Sequence, residues 1–129
     1  MKKGNTLNKR KTGAEQEAIA CAYLEQRGVM IVECNFRTRC GEIDLIGIHD
    51  GYLMFAEVKY RSSADCGFPE EAVTGAKQRT ICRVAEWYLY THGQILLQAP
   101  RGVRYDVVAI LGNQIRWIQN AFEHQGDCH

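Results

Sequence analysis

Asp44, Glu57 and Lys59 are the residues of this sequence whose types and spacing could do chemistry together. In an extended strand, side chains two apart share a face, so Glu57 and Lys59 point together while Ala56 and Val58 point away. Glu42 and Asp44 share a face in the same way on the preceding segment. A tight turn at Asp50-Gly51 makes the two segments neighbours, so Asp44, Glu57 and Lys59 converge on one patch. Leu53 and Phe55 alternate onto that face, which sets the charged end on an otherwise buried sheet surface. Two carboxylates placed together there repel unless something positive lies between them. A hard divalent cation of the Mg²⁺ type takes oxygen ligands of this sort. A lysine beside it could position and help deprotonate water for attack on phosphorus, while the ion stabilises charge on the phosphate. The same residues with Arg61 would equally make a cross-strand ion network, each pair contributing about 0.2–1 kcal/mol. Residue geometry alone leaves both readings open.

The elements that must position this patch follow from local signals. Thr12, with Glu15 three residues later in a capping-box spacing, opens a helix over 14–27 that contains no Gly or Pro. With Ala14 as origin and about 100° per residue, Ala18 falls at about 40°, Ala22 at about 80° and Cys21 at about 340°, a small-residue face suited to close approach to a sheet. Glu15, at about 100°, lies on the inward arc and could add a carboxylate, whereas Glu17, at about 300°, points away. Gly28 ends this helix, and residues 29–36, 42–48 and 52–59 read as strands. Residues 61–69, rich in Ser, Asp, Gly and Pro, form a loop. Thr74 caps a second helix running to about His92, with Gly93 as its stop and Lys77 on the same face as Ile81, Val84 and Tyr88. Residues 103–111 form a strand, Gly112-Asn113 turns, and 114–118 returns. The order α-β-β-β-α-β-β predicts an α/β or α+β arrangement with a mixed central sheet flanked by helices.

With 129 residues and 46% hydrophobic side chains, the chain can bury one core, hence one domain. Its net charge of +1 hides an asymmetry: Lys2, Lys3, Lys9, Arg10 and Lys11 crowd the first eleven residues without an acid, leaving eleven bases against fifteen acids beyond them. This divides the chain into a flexible basic arm over 1–12, a single domain over 13–122 and a flexible tail over 123–129. The arm would attract a polyanion such as nucleic acid by counterion release, although short basic termini also serve solubility alone. No apolar stretch approaches the ~20 residues of a membrane span, and the polar start lacks a signal-peptide core, so a cytoplasmic location is expected. Six cysteines form no Cys-x-x-Cys pair, which argues against zinc; Cys21 and Cys82 read as helix-packing thiols, and Cys128, His129 and His124 as ligands too frayed to preorganise a site. Trp87, Tyr88, Trp117 and Phe122 are expected in the core rather than stacked on bases, His49 in a turn, and Asp106 paired with Arg104 or supporting the fold.

The ordered series Gly13-Ala14-Glu15, Ala18, Tyr23-Leu24, Gly28, Asn35-Phe36-Arg37, Gly41-Glu42-Ile43-Asp44-Leu45-Ile46, Phe55-Ala56-Glu57-Val58-Lys59-Tyr60-Arg61, Lys77, Arg104-Tyr105-Asp106-Val107-Val108 and Asn120-Ala121-Phe122 resembles the bacterial YraN family. That family is similar to archaeal Holliday-junction resolvases and belongs with the restriction-endonuclease-like PD-(D/E)xK nucleases. The resemblance spans about Gly13 to Phe122, with Ile43 where the motif's name has proline. It implies a restriction-endonuclease-like α/β fold with Asp44, Glu57 and Lys59 at the core of the site, and Glu15 corresponding to the extra acid of the first helix. On this resemblance Asp44 and Glu57 would hold one or two Mg²⁺ or Mn²⁺ ions, with the Val58 carbonyl a further ligand. Lys59 would orient the attacking water, and Glu15 would assist metal or water. Arg37, Arg39, Arg61 and Lys77 would grip phosphates, though Arg37 and Arg61 could instead pair with acids. Glu42 would lie on the active face or cap its strand. The implied activity is metal-dependent endonucleolytic cleavage of structured or branched DNA; the alternative is a non-catalytic nucleic-acid-binding or scaffold protein of the same fold. Symmetrical cutting of a four-way junction needs two sites, so a homodimer is expected under this resemblance.

Overall fold

Capping and turn chemistry set where the elements begin and end. The computed structural model describes residues 6–61 and 73–126. Helix α1 (Thr6–Gln26) leads into β1 (Met30–Thr38), β2 (Gly41–His49) and β3 (Tyr52–Arg61), after which α2 (Gly75–His92) and a 3-10 segment (Gly93–Gln98) connect to β4 (Gly102–Leu111) and β5 (Gln114–Phe122). Gly28, at φ +94°, terminates α1, and the Val29 N–H returns to the Leu24 carbonyl at 3.0 Å. Asp50 and Gly51 both take positive φ, +55° and +78°, as a two-residue hairpin turn between twisted strands requires. The Thr74 hydroxyl accepts the Lys77 N–H at 3.2 Å and so starts α2 where the sequence predicts.

The five strands form one sheet in the order β1-β2-β3-β4-β5, antiparallel throughout except for the parallel pair β3–β4, which α2 bridges. The expected mixed sheet and element order are therefore present. Alternation along β3 separates two cores. Leu53 and Phe55 pack with Ile46 and with Ile81, Val84 and Tyr88 of α2, whereas Met54 and Ala56 pack with Leu45, Val108 and Ala20 and Leu24 of α1. The result is an α/β architecture with a helix on each face of the sheet. No helix among the described residues is long and apolar enough to cross a membrane.

Several expectations need correction. Helix α1 begins at Thr6, so Thr12 lies inside it rather than ahead of it. Its inward arc is centred on the buried Ala20 and Leu24, at about 240° and about 280° on the predicted wheel. Ala14, Ala18 and Ala22 are exposed instead. Burying a leucine is worth about 1.5–3 kcal/mol and an alanine much less, so Leu24 decides the rotation. Strand β5 continues past Ile118 to Phe122 because Asn120, at φ +54°, forms a bulge whose N–H is accepted by Asp106 at 2.9 Å. Residues 124 and 125 of the predicted free tail are tied down: His124 lies 2.6 Å from the Tyr105 hydroxyl and 2.8 Å from Glu86, and Gln125 meets Cys82 and Gln78.

Tyr88 is buried and Trp117 and Phe122 pack against the cores, but Trp87 is 52% exposed rather than internal. His49 does more than turn the chain, since it contacts Arg104 at 3.1 Å and packs against the Trp117 ring. The predicted loop over 62–69, the first residues of the arm, and Cys128 and His129 lie outside the described residues.

Candidate metal centre and active site

The ladder between β2 and β3 runs from His49–Tyr52 to Leu45–Ala56, and the residues just beyond it are Asp44 and Glu57. Both are only 6% exposed. Asp44 Oδ2 accepts the Val58 N–H at 2.8 Å, tying the aspartate to the residue between Glu57 and Lys59. Glu57 Oε2 lies 3.3 Å from Lys59 Nζ and 3.5 Å from Lys77 Nζ, so β3 and the first turn of α2 each bring a cation to it. Glu57 and Lys59 thus meet on β3, Asp44 adjoins them through the Val58 N–H, and Lys77 reaches Glu57 because the Thr74 cap starts α2 beside this sheet end.

A second acidic group adjoins Asp44. The carboxylate oxygens of Glu17 from α1, Glu42 from β2 and Asp44 all lie within 4.8 Å of one another. Glu17 occupies this place because α1 turns its Leu24 side inward. Glu15 is exposed and lies about 200° around the helix from Glu17, so it does not share this cluster. The signal for Glu17 was present in the sequence: at about 300° it falls on the wheel next to Leu24 at about 280°, the aliphatic side chain that α1 buries. Glu42 also accepts from Arg37 Nε at 2.8 Å, an exposed pair of little energetic weight.

Arg37 therefore meets an acid of the cluster, Lys77 meets Glu57, Arg39 lies on the β1–β2 turn, and Arg61 lies exposed at the far end of β3.

Comparison with the other buried aspartate shows what is unusual at Asp44. Asp106 is fully enclosed but receives Arg104 Nε and Nη2 at 3.0 and 2.9 Å, Trp117 Nε1 at 2.9 Å and the Asn120 N–H at 2.9 Å. Its charge is balanced and its lone pairs are occupied, the condition under which a buried carboxylate is tolerated. This confirms the Arg104 pairing expected from sequence. Asp44 accepts the Val58 N–H and has acids around it. Burial first, then the charge of Glu57, with smaller contributions from Glu17 and Glu42, push its carboxyl up to about 7 against the opposing Val58 hydrogen bond. The oxygen-only donor set of Glu17, Glu42 and Asp44 fits a hard divalent cation, which would relieve this repulsion.

The family model of the uncharacterised protein family UPF0102 matches residues 16–110. A UPF0102 protein of Lachnoclostridium phytofermentans is 43% identical over 120 residues, covering 93% of this chain and 99% of the relative. Those of Cytophaga hutchinsonii and Geotalea uraniireducens are 46% identical over 103 residues and 41% identical over 128, covering 80% and 95% of this chain and 87% and 98% of theirs. The match spans α1 from Gln16, both helices' faces of the sheet and every acid of the cluster, and on it the chain belongs to the uncharacterised protein family UPF0102.

Proposed function

We propose that this protein is a metal-dependent endonuclease that hydrolyses phosphodiester bonds in structured or branched DNA. The observation that carries the proposal is Asp44: a buried aspartate, raised towards neutrality, with carboxylates around it where Asp106 has Arg104, and with Lys59 and Lys77 beside the neighbouring Glu57. A carboxylate held in this state is destabilising unless a cation or a proton neutralises it, and such groups cluster at functional sites. The YraN-type motif series and the helix-flanked mixed sheet support a restriction-endonuclease-like reading of the same residues.

Asp44, Glu17 and Glu42 would hold Mg²⁺ or Mn²⁺, with Glu57 and the Val58 carbonyl as further oxygen donors. The ion would supply charge neutralisation at a phosphate oxygen and a lowered pKa for water. Lys59, partly exposed beside Glu57, orients the attacking water through its ammonium protons. The water oxygen bonds to phosphorus as the P–O bond to the leaving strand breaks, and the leaving oxygen takes up a proton. Lys77 adds positive charge facing the phosphate, and Arg39 offers a contact to the backbone of the strand. Two copies acting together would cut a branched substrate symmetrically.

The test is incubation of the purified protein with matched single-stranded, duplex, flap and four-way-junction DNA in Mg²⁺, Mn²⁺ or EDTA, beside Asp44→Ala and Lys59→Ala. Metal-dependent cutting by the wild type, lost in both variants, is expected. Cutting that survives in both variants would point to a contaminant. Binding of DNA by the folded wild type without cutting any substrate would overturn the proposal in favour of a non-catalytic binding protein.

A further inference from the structure

We infer that Cys21 and Cys34 form a reversible disulfide, an oxidation site that ties α1 to β1 beside the acid cluster. The crosslink stands on the placement of the two thiols; only its effect on the metal rests on the site proposed above.

Register and packing bring the two side chains together from different elements. Cys34 on β1 stands opposite Leu45 of β2, and Leu45 is fully buried in the core beneath α1. Cys21, one residue after the buried Ala20 of α1, packs against that same core. The two thiols share a side-chain hydrogen bond, so sulfur already meets sulfur across the helix–strand contact, as a disulfide between these elements requires. Cys82 shows the contrast. That thiol is fully enclosed on α2 and its sulfur accepts the Gln125 N–H at 3.3 Å, the state of a packing residue. Cys34 is exposed and Cys21 partly so, which opens the pair to a small oxidant. Exposure alone does not make a pair: Cys40 is exposed too, but it lines a groove of about 800 Å³ between the β1–β2 turn and α2, beside Trp87 and Tyr90 and across the sheet from α1.

The oxidant is a small disulfide, with oxidised glutathione as the probe. The Cys34 thiolate bonds to one of its sulfurs, its S–S bond breaks, and one glutathione leaves as a thiolate that takes up a proton. Burial, then the Glu25 carboxylate and Cys34 itself, push the Cys21 thiol up, which leaves the exposed Cys34 to react first. Cys21 then gives up its proton and attacks the Cys34 sulfur, expelling the second glutathione. Two cysteines are oxidised, one glutathione disulfide is reduced to two thiols, and two protons pass from the protein to them. Excess thiol reverses both steps.

The helix repeat sets what the bond holds. Glu17 lies four residues before Cys21, about one turn away on the same side of α1, and Asp44 directly precedes Leu45, the partner of Cys34. The crosslink therefore joins the helix that supplies Glu17 to the strand paired with Glu42 and Asp44, whose carboxylate oxygens lie within 4.8 Å of that of Glu17. In the reduced chain, packing of Ala20 and Leu24 holds α1 there. Oxidation removes the freedom of α1 to carry Glu17 away from the other two acids, so the oxidised chain binds Mg²⁺ more tightly.

The test incubates the full chain with oxidised glutathione in EDTA, blocks the remaining thiols and maps tryptic peptides without reduction. Cleavage after Arg27 separates the two cysteines, so the disulfide appears as residues 12–27 joined to 28–37 within one chain. Cys21→Ser should instead keep a glutathione on Cys34. Oxidation should raise the wild-type melting temperature in EDTA by several degrees, because it closes a short loop in the unfolded chain, and should not do so in Cys34→Ser, whose exposed position lets the variant fold. By titration calorimetry the oxidised chain should bind Mg²⁺ about fivefold or more tightly than the reduced chain, and Mg²⁺ should raise the disulfide-to-dithiol ratio in a glutathione buffer by the same factor. Cys34 joined to any other cysteine, a glutathione that persists on Cys34 in the wild type, or a lowered melting temperature on oxidation would each overturn the disulfide. Equal Mg²⁺ affinity in the two forms would overturn its hold on the metal site. The two proposals fail separately: a chain that joins Cys21 to Cys34 but cuts no DNA loses the nuclease and keeps the crosslink. One that cuts, with the two cysteines never joined, does the reverse.

Discussion

An aspartate pushed up to about 7 keeps a proton in the folded chain that the unfolded chain, near 3.8, has released. Between those values the folded state binds more protons, so the Asp44 contribution favours folding on the acid side and is lost as pH rises through 7. The whole window is worth on the order of a few kcal/mol. Asp44→Asn keeps an acceptor for the Val58 N–H but carries no charge. In EDTA it should therefore melt at a higher temperature than the wild type at pH 8, and the difference should shrink towards pH 5. Equal slopes for the two proteins over that range would place the pH dependence on other groups. Mg²⁺ at pH 8 should raise the wild-type melting temperature and leave Asp44→Asn nearly unmoved, by linkage to native-state binding. Glu17→Gln should reduce that Mg²⁺ response, whereas the exposed Glu15→Gln should retain it; the opposite ranking would return the site to the acid first expected. The pairs Glu42–Asp44 and Glu57–Lys59 were readable because a period of two puts residues two apart on one face. The helix acid was misjudged because a wheel counting alanines equally with leucine has no dominant direction.

At the scale of elements, the signals that proved readable are those whose cause is local. The Asp50-Gly51 turn, the Thr74 cap and the Gly28 stop each depend on one or two backbone conformations, and all three are present. Strand β5 escaped the same reading because its extension depends on Asp106, a residue on another strand, capturing the Asn120 N–H. Trp87 is exposed despite its size because its wheel position, at about 320° from Val73, lies outside the arc of Ile81, Val84 and Tyr88. Asp106 is the joint at which β4 and β5 meet, with Arg104 reaching on to His49 at the end of β2. Asp106→Asn would strand the buried Arg104 charge and should cost about 3–5 kcal/mol, read as a lowered urea midpoint. Since Asp106 does not touch the acid cluster, Mg²⁺ should still raise the variant's midpoint; failure to do so would mean the two aspartates are coupled.

For the whole molecule, the acid site draws on α1, β2, β3 and α2, so it exists only when both helical layers have docked on the sheet. Domain folding and metal binding should therefore be lost in one transition, and tryptophan fluorescence and far-UV circular dichroism should trace coincident urea curves that shift together with Mg²⁺. Separate transitions would show that one layer holds the site alone. The cysteines, whose spacing argues against a zinc site, acquire a different value from where they fall. Cys40 lies on the lining of the groove beside Trp87, while Cys34 is exposed on β1, where its thiol meets Cys21 on the opposite face of the sheet. The chain thus carries its own chemical footprinting pair, a reporter thiol in the groove and a reference thiol away from it. Any ligand or second copy seated in the groove should slow alkylation of Cys40 and leave Cys34 unchanged, and peptide mass spectrometry can read both from one sample without altering a residue.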